Sequence, residues 1–233
     1  MTGQSSLALK TAQELVQQTQ LNSLKKDKYL QLFLPVPYFS EARFKKWNEI
    51  LKEPKPADEF QYALGMWHYV RGLANTHLNK IQDAKNELKA LQEITKQGSI
   101  EKNLGQFGVD QLKIAIQVLE ASLADKQGQR ESMLLHLRKA VQLQDNMGYK
   151  EPPAWYFSVR EELGNALLKT GHFVEAENIF RQDLKNRPNN GWTLFGLAKS
   201  LRSLGKKGEA NKIERDFLEA WKNADSSSPT SLF

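Results

Sequence analysis

Residues 163–210 decide the fold and read LGNALLKTGHFVEAENIFRQDLKNRPNNGWTLFGLAKSLRSLGKKGEA. Within this stretch, a pattern of leucine, glycine and alanine occurs twice, at a spacing of 34 residues. The matching pairs are Leu163 with Leu197, Leu167 with Leu201, Gly171 with Gly205, and Ala176 with Ala210. A fixed period of this length is typical of repeat proteins, in which each unit packs on its neighbours.

The repeated positions have the properties that two packed helices need. Gly164 and Ala176 are small, so the helices can approach closely at these points, while leucines at helical spacing fill the seam. Gly171 permits a sharp turn between the helices. Pro188 ends the second helix, because proline disfavours helical backbone in the residue before it. Each unit is therefore predicted to be a helix pair.

The order of these residues resembles L-G-x2-Y…A-x3-F…P of the tetratricopeptide repeat, with Leu in place of Tyr. The residues that carry the resemblance are Leu163, Gly164, Leu167, Ala176, Phe180 and Pro188. The resemblance implies an all-α fold, in which antiparallel helix pairs stack into a right-handed superhelical solenoid. Further segments resemble the C-terminal part of a large, uncharacterised group of bacterial tetratricopeptide proteins. They are Arg43-Phe44…Trp47, Trp67-His68-Tyr69, and Tyr149…Glu151-Pro152-Pro153…Trp155-Tyr156.

The earlier part of the chain repeats the same features less regularly. The turn markers are Asn79, Gly128, Gly171 and Gly205, at spacings of 49, 43 and 34 residues. We predict one array over residues 1–224, with a divergent helix pair at 22–56, the most regular repeats at 157–224, and a disordered tail at 225–233. Gly3 and Ala8 have the five-residue spacing of a turn and a second helix, so a longer protein with a preceding first helix is expected.

The composition is that of a protein with a buried core. Hydrophobic residues make up 40% and charged residues 26% of the 233 positions, which does not favour disorder. Apolar runs are too short for a membrane span, and the first ten residues lack the pattern of a secretory signal. A cytoplasmic location is expected; the periplasm remains open if the chain is part of a longer precursor. The absence of cysteine excludes disulfides and thiolate sites.

The sequence contains no catalytic motif. A glycine-rich phosphate loop, an H-E-x-x-H pair and a G-x-S-x-G elbow are all missing. The histidines are His68, His77, His136 and His172, which fall on different repeats and form no pair at ligand spacing. We therefore expect a protein that is not an enzyme and that needs neither a metal nor another cofactor.

Polar residues occur where the repeat pattern expects apolar ones. The positions eleven residues before the first three turn markers hold His68, Gln117 and Arg160. A buried arginine needs a carboxylate or several carbonyl groups, and Glu151 is the candidate partner for Arg160. These four residues are predicted to be a buried polar set. Pairing that fixes a loop is the favoured role, and a ligand site is the alternative.

The first helices of the pairs carry the residues that we predict to bind a partner. In the proteins that this chain resembles, these helices line a concave groove. The predicted groove residues are Tyr69, Glu161, Asn165, Trp192, Phe195, Lys199 and Arg202. The last four follow steps of three, four and three residues and so form one helical stripe. Aromatic rings beside cations suit an acidic protein or peptide; packing of Trp192 and Phe195 against neighbouring helices is the alternative.

The favoured function is a scaffold or adaptor that binds a protein or peptide segment. Two other functions remain open at this point. The net charge of +6 includes a basic C-terminal end, which is compatible with binding to nucleic acid, although we consider this partner unlikely. The chain is also compatible with an accessory domain of an enzyme whose catalytic part lies upstream.

Overall fold

The computed structural model describes residues 2–19, 21–148, 153, 155–226, 228, 229 and 231–233. Within them the chain forms α-helices and one short 3-10 helix, and no strand, so the all-α prediction is confirmed. The helices are α1 (Ser5–Gln18), α2 (Leu21–Lys26), the 3-10 helix (Lys28–Phe33), α3 (Val36–Arg43), α4 (Trp47–Ile50), α5 (Gln61–His77), α6 (Ile81–Lys96), α7 (Ser99–Lys126), α8 (Arg130–Asn146), α9 (Val159–Lys169), α10 (Phe173–Asn186), α11 (Gly191–Ser203) and α12 (Lys207–Trp221).

From α5 onwards the helices pack as adjacent pairs. The pairs are α5 with α6, α7 with α8, α9 with α10, and α11 with α12. The first helices also contact across pairs, as α5 does with α7 and α9 with α11. Helix α7 is longer than the others because two helical pieces meet at Gly105, whose φ of 63° and ψ of −168° are not helical.

The four turn markers all adopt left-handed backbone. Their φ angles are 60° at Asn79, 72° at Gly128, 83° at Gly171 and 74° at Gly205. After each marker, the next backbone N–H donates back to the carbonyl group five residues earlier. His172 N, for example, lies 2.8 Å from Leu167 O. This is the Schellman arrangement that ends a helix at a glycine or asparagine. The markers thus explain why each helix pair is joined by so few residues.

One aromatic ring holds the last two pairs at close range. Phe180 of α10 is fully buried and lies against two glycines, Gly164 of α9 and Gly196 of α11. A Cβ atom added at Gly164 would lie 2.5 Å from the Phe180 ring. Both glycines therefore allow α10 to pack tightly against its own partner and against the next pair.

The N-terminal segment departs from the predicted divergent helix pair at 22–56. It consists of α2, the 3-10 helix, α3 and α4, which are short elements. The prolines explain part of this: Pro35 lies at the N-cap of α3 and Pro37 in its first turn, so a helix from the preceding segment cannot continue through them. Helix α3 packs against α1 and α5.

The C-terminal residues predicted to be disordered make specific contacts. Asp225 accepts hydrogen bonds from the backbone N–H groups of Ser5 and Ser6 at 2.8 and 2.7 Å. Leu232 is only 7% exposed and belongs to the main hydrophobic core. The serine-rich composition suggested disorder but did not reveal that the last residues have a buried place to dock. Among the described helices, none is both long and apolar enough to span a membrane.

The close packing around Phe180 predicts a large effect for a small substitution. We expect Gly164→Ala to lower the free energy of unfolding by about 1–3 kcal/mol, because the added methyl group overpacks the core. Urea denaturation measures this change. The matched control is Gly208→Ala, whose Cβ would meet nothing within 4 Å. The control should be neutral or stabilise by up to about 1 kcal/mol. Equal effects of the two substitutions would contradict the close approach.

Candidate functional site

Arg43, at the last position of α3, connects the N-terminal segment to the later helix pairs. Its Nη2 atom lies 2.5 Å from Glu161 Oε2 and its Nη1 atom 3.8 Å from Glu162 Oε1. The guanidinium group also lies over the Trp192 ring, with Cζ 3.9 Å from the ring centroid. The Arg43 side chain is 9% exposed and the two carboxylates are 1% and 2% exposed, so this ion pair is excluded from water.

The first turn of α9 positions both carboxylates. Glu161 and Glu162 lie at its N-terminus, where the helix dipole favours negative charge. Glu161 also accepts a hydrogen bond from Asn190 Nδ2 at 2.6 Å. The same amide group donates to Thr193 Oγ1 at 2.9 Å, and Thr193 donates to Asp183 Oδ2 at 2.5 Å. A buried polar network therefore links α9, α10 and α11 beneath Arg43.

Glu162 contacts the C-terminus of the chain. Its Oε2 atom accepts hydrogen bonds from Ser231 Oγ at 2.7 Å and from the backbone N–H of Leu232 at 2.9 Å. Burial raises the pKa of Glu162 to about 7, although Arg43 and the two tail donors act in the opposite direction. Desolvation thus outweighs the favourable partners at this carboxyl group.

An aromatic cluster fills the space between α3 and the first helices. Phe39 of α3 stacks on Tyr156, with ring centroids 4.4 Å apart and planes 1° from parallel. The Tyr156 hydroxyl lies 3.0 Å from the hydroxyl of Tyr69 on α5. Burial is the main cause that raises the pKa of both phenols, so both stay neutral and can share this hydrogen bond.

The predicted partner-binding residues are divided between two environments. Tyr69, Glu161 and Trp192 are buried, and they contact other parts of the same chain. We call the surface of α5, α9 and α11 that these three residues occupy the first-helix face. Trp192 follows the packing alternative that its sequence position left open: Phe44 and Trp221 pack against its ring, in addition to Arg43. Asn165 is half-buried.

The other three stripe residues line an open groove near the end of the array. This terminal groove has a volume of about 630 Å³ and is lined by Leu168, Phe173, Phe195, Ala198, Lys199, Arg202, Ser203, Glu214, Phe217 and Leu218. Lys199 Nζ lies 4.2 Å from the Phe195 ring centroid. The Leu218 side chain is 65% exposed at its edge. Arg202 is paired with Glu214 by bonds of 2.8 and 2.6 Å, so its charge is locally balanced.

The predicted buried polar set consists of separate pairs and does not converge on one site. His68 Nδ1 lies 2.6 Å from Glu87, and Gln117 Oε1 lies 3.0 Å from Nδ1 of His136. Both contacts join residues 19 positions apart, which are on the first and second helices of one pair. These two contacts support the structural role and give no indication of a ligand site.

Arg160 is also paired with a carboxylate, as predicted, but with a different one. It donates two hydrogen bonds of 2.6 Å to Asp145 of α8. The predicted partner, Glu151, lies outside the described residues. Asp145 is 44% exposed, so this pair is accessible to water and is worth less than the fully buried pair that the sequence suggested.

A second carboxyl cluster lies at α3. Burial, followed by the neighbouring Glu53 carboxylate, raises the pKa of Glu41 to about 8. A pair of neighbouring carboxyl groups does not by itself amount to a metal site. In the part of the chain that the structure describes, no three His, Cys, Asp or Glu side chains are placed to hold a metal ion.

Comparisons with known proteins add one short similarity. No protein-family model matches the chain. A stretch of 51 residues is 39% identical to nebulin-related-anchoring protein of Homo sapiens. This stretch is 22% of the present chain and 3% of the human protein, so the chain spans only a small part of that relative. A match of this length does not show a family.

The buried Arg43 contact predicts that the stability of the fold depends strongly on this one side chain. We expect Arg43→Ala to lower the free energy of unfolding by about 3–5 kcal/mol, because Glu161 is left buried without its cation. Chemical denaturation measures the change. Arg138→Ala serves as the control, since the Arg138–Glu175 pair is 42% and 41% exposed. The control should cost at most about 1 kcal/mol. A loss at Arg43 no larger than at Arg138 would show that the buried pair does not hold the segments together.

Proposed function

We propose that this chain is a tetratricopeptide-type solenoid, with helix pairs in a right-handed superhelix, that binds an acidic and partly apolar segment of another protein. The terminal groove is the binding surface, and the chain acts as a scaffold or adaptor and not as an enzyme. The main support for this proposal is that Phe195, Lys199 and Leu218 lie around one open groove.

The chemistry of the terminal groove favours such a segment. Phe195, Phe217 and Leu218 provide apolar surface that a bound side chain would remove from water. Lys199 stands at the rim and is exposed, with its ammonium group over the Phe195 ring. An exposed cation beside an apolar floor orients a peptide that carries acidic residues next to hydrophobic ones. The net charge of +6 supports attraction of the same kind of partner.

The first-helix face supports the proposal less well than the sequence suggested. An incoming peptide would have to displace Arg43 before it reached the Glu161 carboxylate. That displacement leaves a buried carboxylate unpaired, which costs several kcal/mol. The terminal groove requires no such step.

Nucleic-acid binding is disfavoured because several basic side chains near the C-terminus already form ion pairs within the chain. Arg181 and Lys206 both pair with Glu177, and Arg202 pairs with Glu214. Arginine and lysine side chains that are already paired are less available to neutralise phosphates and release their counterions. An affinity for nucleic acid that falls steeply with salt would nevertheless revive that alternative.

The proposal is tested by selection of short random peptides on the intact chain, followed by titration of an enriched peptide. We expect the enriched sequences to combine acidic with aromatic or aliphatic residues. Leu218→Ser should weaken binding about tenfold, or about 1.4 kcal/mol, since it removes apolar contact area at the groove.

The matched control is Leu135→Ser, because Leu135 is also an exposed leucine, at 51%, but lies on α8. Neither substitution should alter the melting temperature, since both side chains are largely in water. If the two variants bind the selected peptide equally well, the terminal groove is not the site. Selection of basic peptides would also contradict the proposed chemistry.

A further inference from the structure

The C-terminal residues of the chain occupy a narrow slot next to Arg43. The slot is lined by Ala42, Arg43, Lys45, Tyr156, Phe157 and Glu162, together with Ser231 and Leu232 of the tail itself. With the tail in place the free volume is about 10 Å³, which is at most the space of one water molecule. The tail thus fills a shaped space and does not lie on an open surface.

Glu162 is the polar recognition group of this slot. Glu161 takes the short contact with Arg43, at 2.5 Å, whereas Glu162 is 3.8 Å from the same guanidinium group. The Oε2 atom of Glu162 is left to accept the Ser231 hydroxyl and the Leu232 N–H. A carboxylate this deeply buried is costly unless its oxygens accept hydrogen bonds. The slot therefore favours an occupant that brings two donors.

The spacing of the two donors and of the apolar contact defines the occupant. One residue supplies a hydroxyl group and the next supplies a backbone N–H to the same carboxylate oxygen. The side chain of that second residue, Leu232, enters the hydrophobic core, and Phe233 packs beside it. A segment with a hydroxyl residue followed by a large aliphatic residue satisfies these requirements.

We propose that the Glu162 slot is a second peptide-binding site, specific for a segment of this chemistry, and that the chain's own residues 231–233 are its resident ligand. This site is distinct from the terminal groove, so the proposal does not rest on the proposed function. Because the tail is tethered to α12, its effective concentration at the slot is of the order of millimolar. A free peptide added at a lower concentration therefore does not displace the tail from the intact chain.

The test uses a fluorescent peptide with the sequence of residues 225–233, DSSSPTSLF. A chain that ends at residue 230 has an empty slot, and we expect it to bind this peptide at least ~10-fold more tightly than the full chain. A peptide with glutamate in place of Leu232 should not bind, because the core cannot accept its charge. Leu218→Ser in the shortened chain should leave this binding unchanged. Equal affinity of the shortened and full chains, or of the two peptides, would overturn the proposal.

A second measurement does not depend on whether the shortened chain folds. Carboxypeptidase digestion of the full chain should remove Phe233 slowly, because the tail is docked. Glu162→Ala should be trimmed at least ~10-fold faster, since the acceptor for both tail donors is gone while the cleaved sequence is the same. Glu131→Ala, which removes an exposed carboxylate of α8, should behave like the unaltered chain. Equal trimming rates in all three proteins would show that the tail is not held by Glu162.

Discussion

The rest of the structure depends on how Arg43 is placed between Glu161 and the Trp192 ring. The contact joins residues 118 positions apart and brings α3 onto α9 and α11. A guanidinium group in this position has to keep its carboxylate, because either charge alone would be costly away from water. The aromatic face adds a cation–π attraction, which is strongest for a desolvated pair. Together these interactions fix the N-terminal segment against the later helix pairs.

This arrangement covers part of the surface of the first helices. The first-helix face, which carries Tyr69, Glu161 and Trp192, is occupied by the chain's own α3 and by the aromatic loop at Tyr156. The C-terminal tail adds a further internal contact through Glu162. The terminal groove, which is lined by residues of α11 and α12, stays open. A partner segment is therefore proposed to bind there, at the edge of the array.

Local features of the sequence predicted the repeat units well. Gly171 and Gly205 marked turns because only their backbone could adopt the left-handed conformation at low cost, and both have positive φ angles. Asn79 was predicted to mark a turn as well, and it has a φ of 60°. Gly164 was predicted to permit close helix packing, and Phe180 lies directly against it. These signals come from residues that are close together along the chain, so they can be recognised in a single sequence.

The remaining features depend on contacts between distant residues. No periodic pattern in the sequence relates Arg43 to Glu161, so their contact could not be predicted. The partners of Glu162 come from a serine-rich tail whose composition alone predicts disorder. For Trp192, helical spacing could not show that another segment covers the ring. Such burial is set by tertiary packing, which composition and spacing do not encode.

The most direct test is whether α1, which packs on α3, reaches the residues that follow α12. The chain has no cysteine, so a double variant Ser5→Cys and Asp225→Cys has a single possible intramolecular bridge. The two native side chains are in contact, with Ser5 Oγ 2.7 Å from Asp225 Oδ1, so thiols at these two positions are held near each other, as a disulfide requires. Mild oxidation should therefore give mainly a bridged monomer, whereas Ser5→Cys with Leu135→Cys should not bridge. A folded Ser5/Asp225 variant that stays reduced, or bridges only between molecules, would contradict this account.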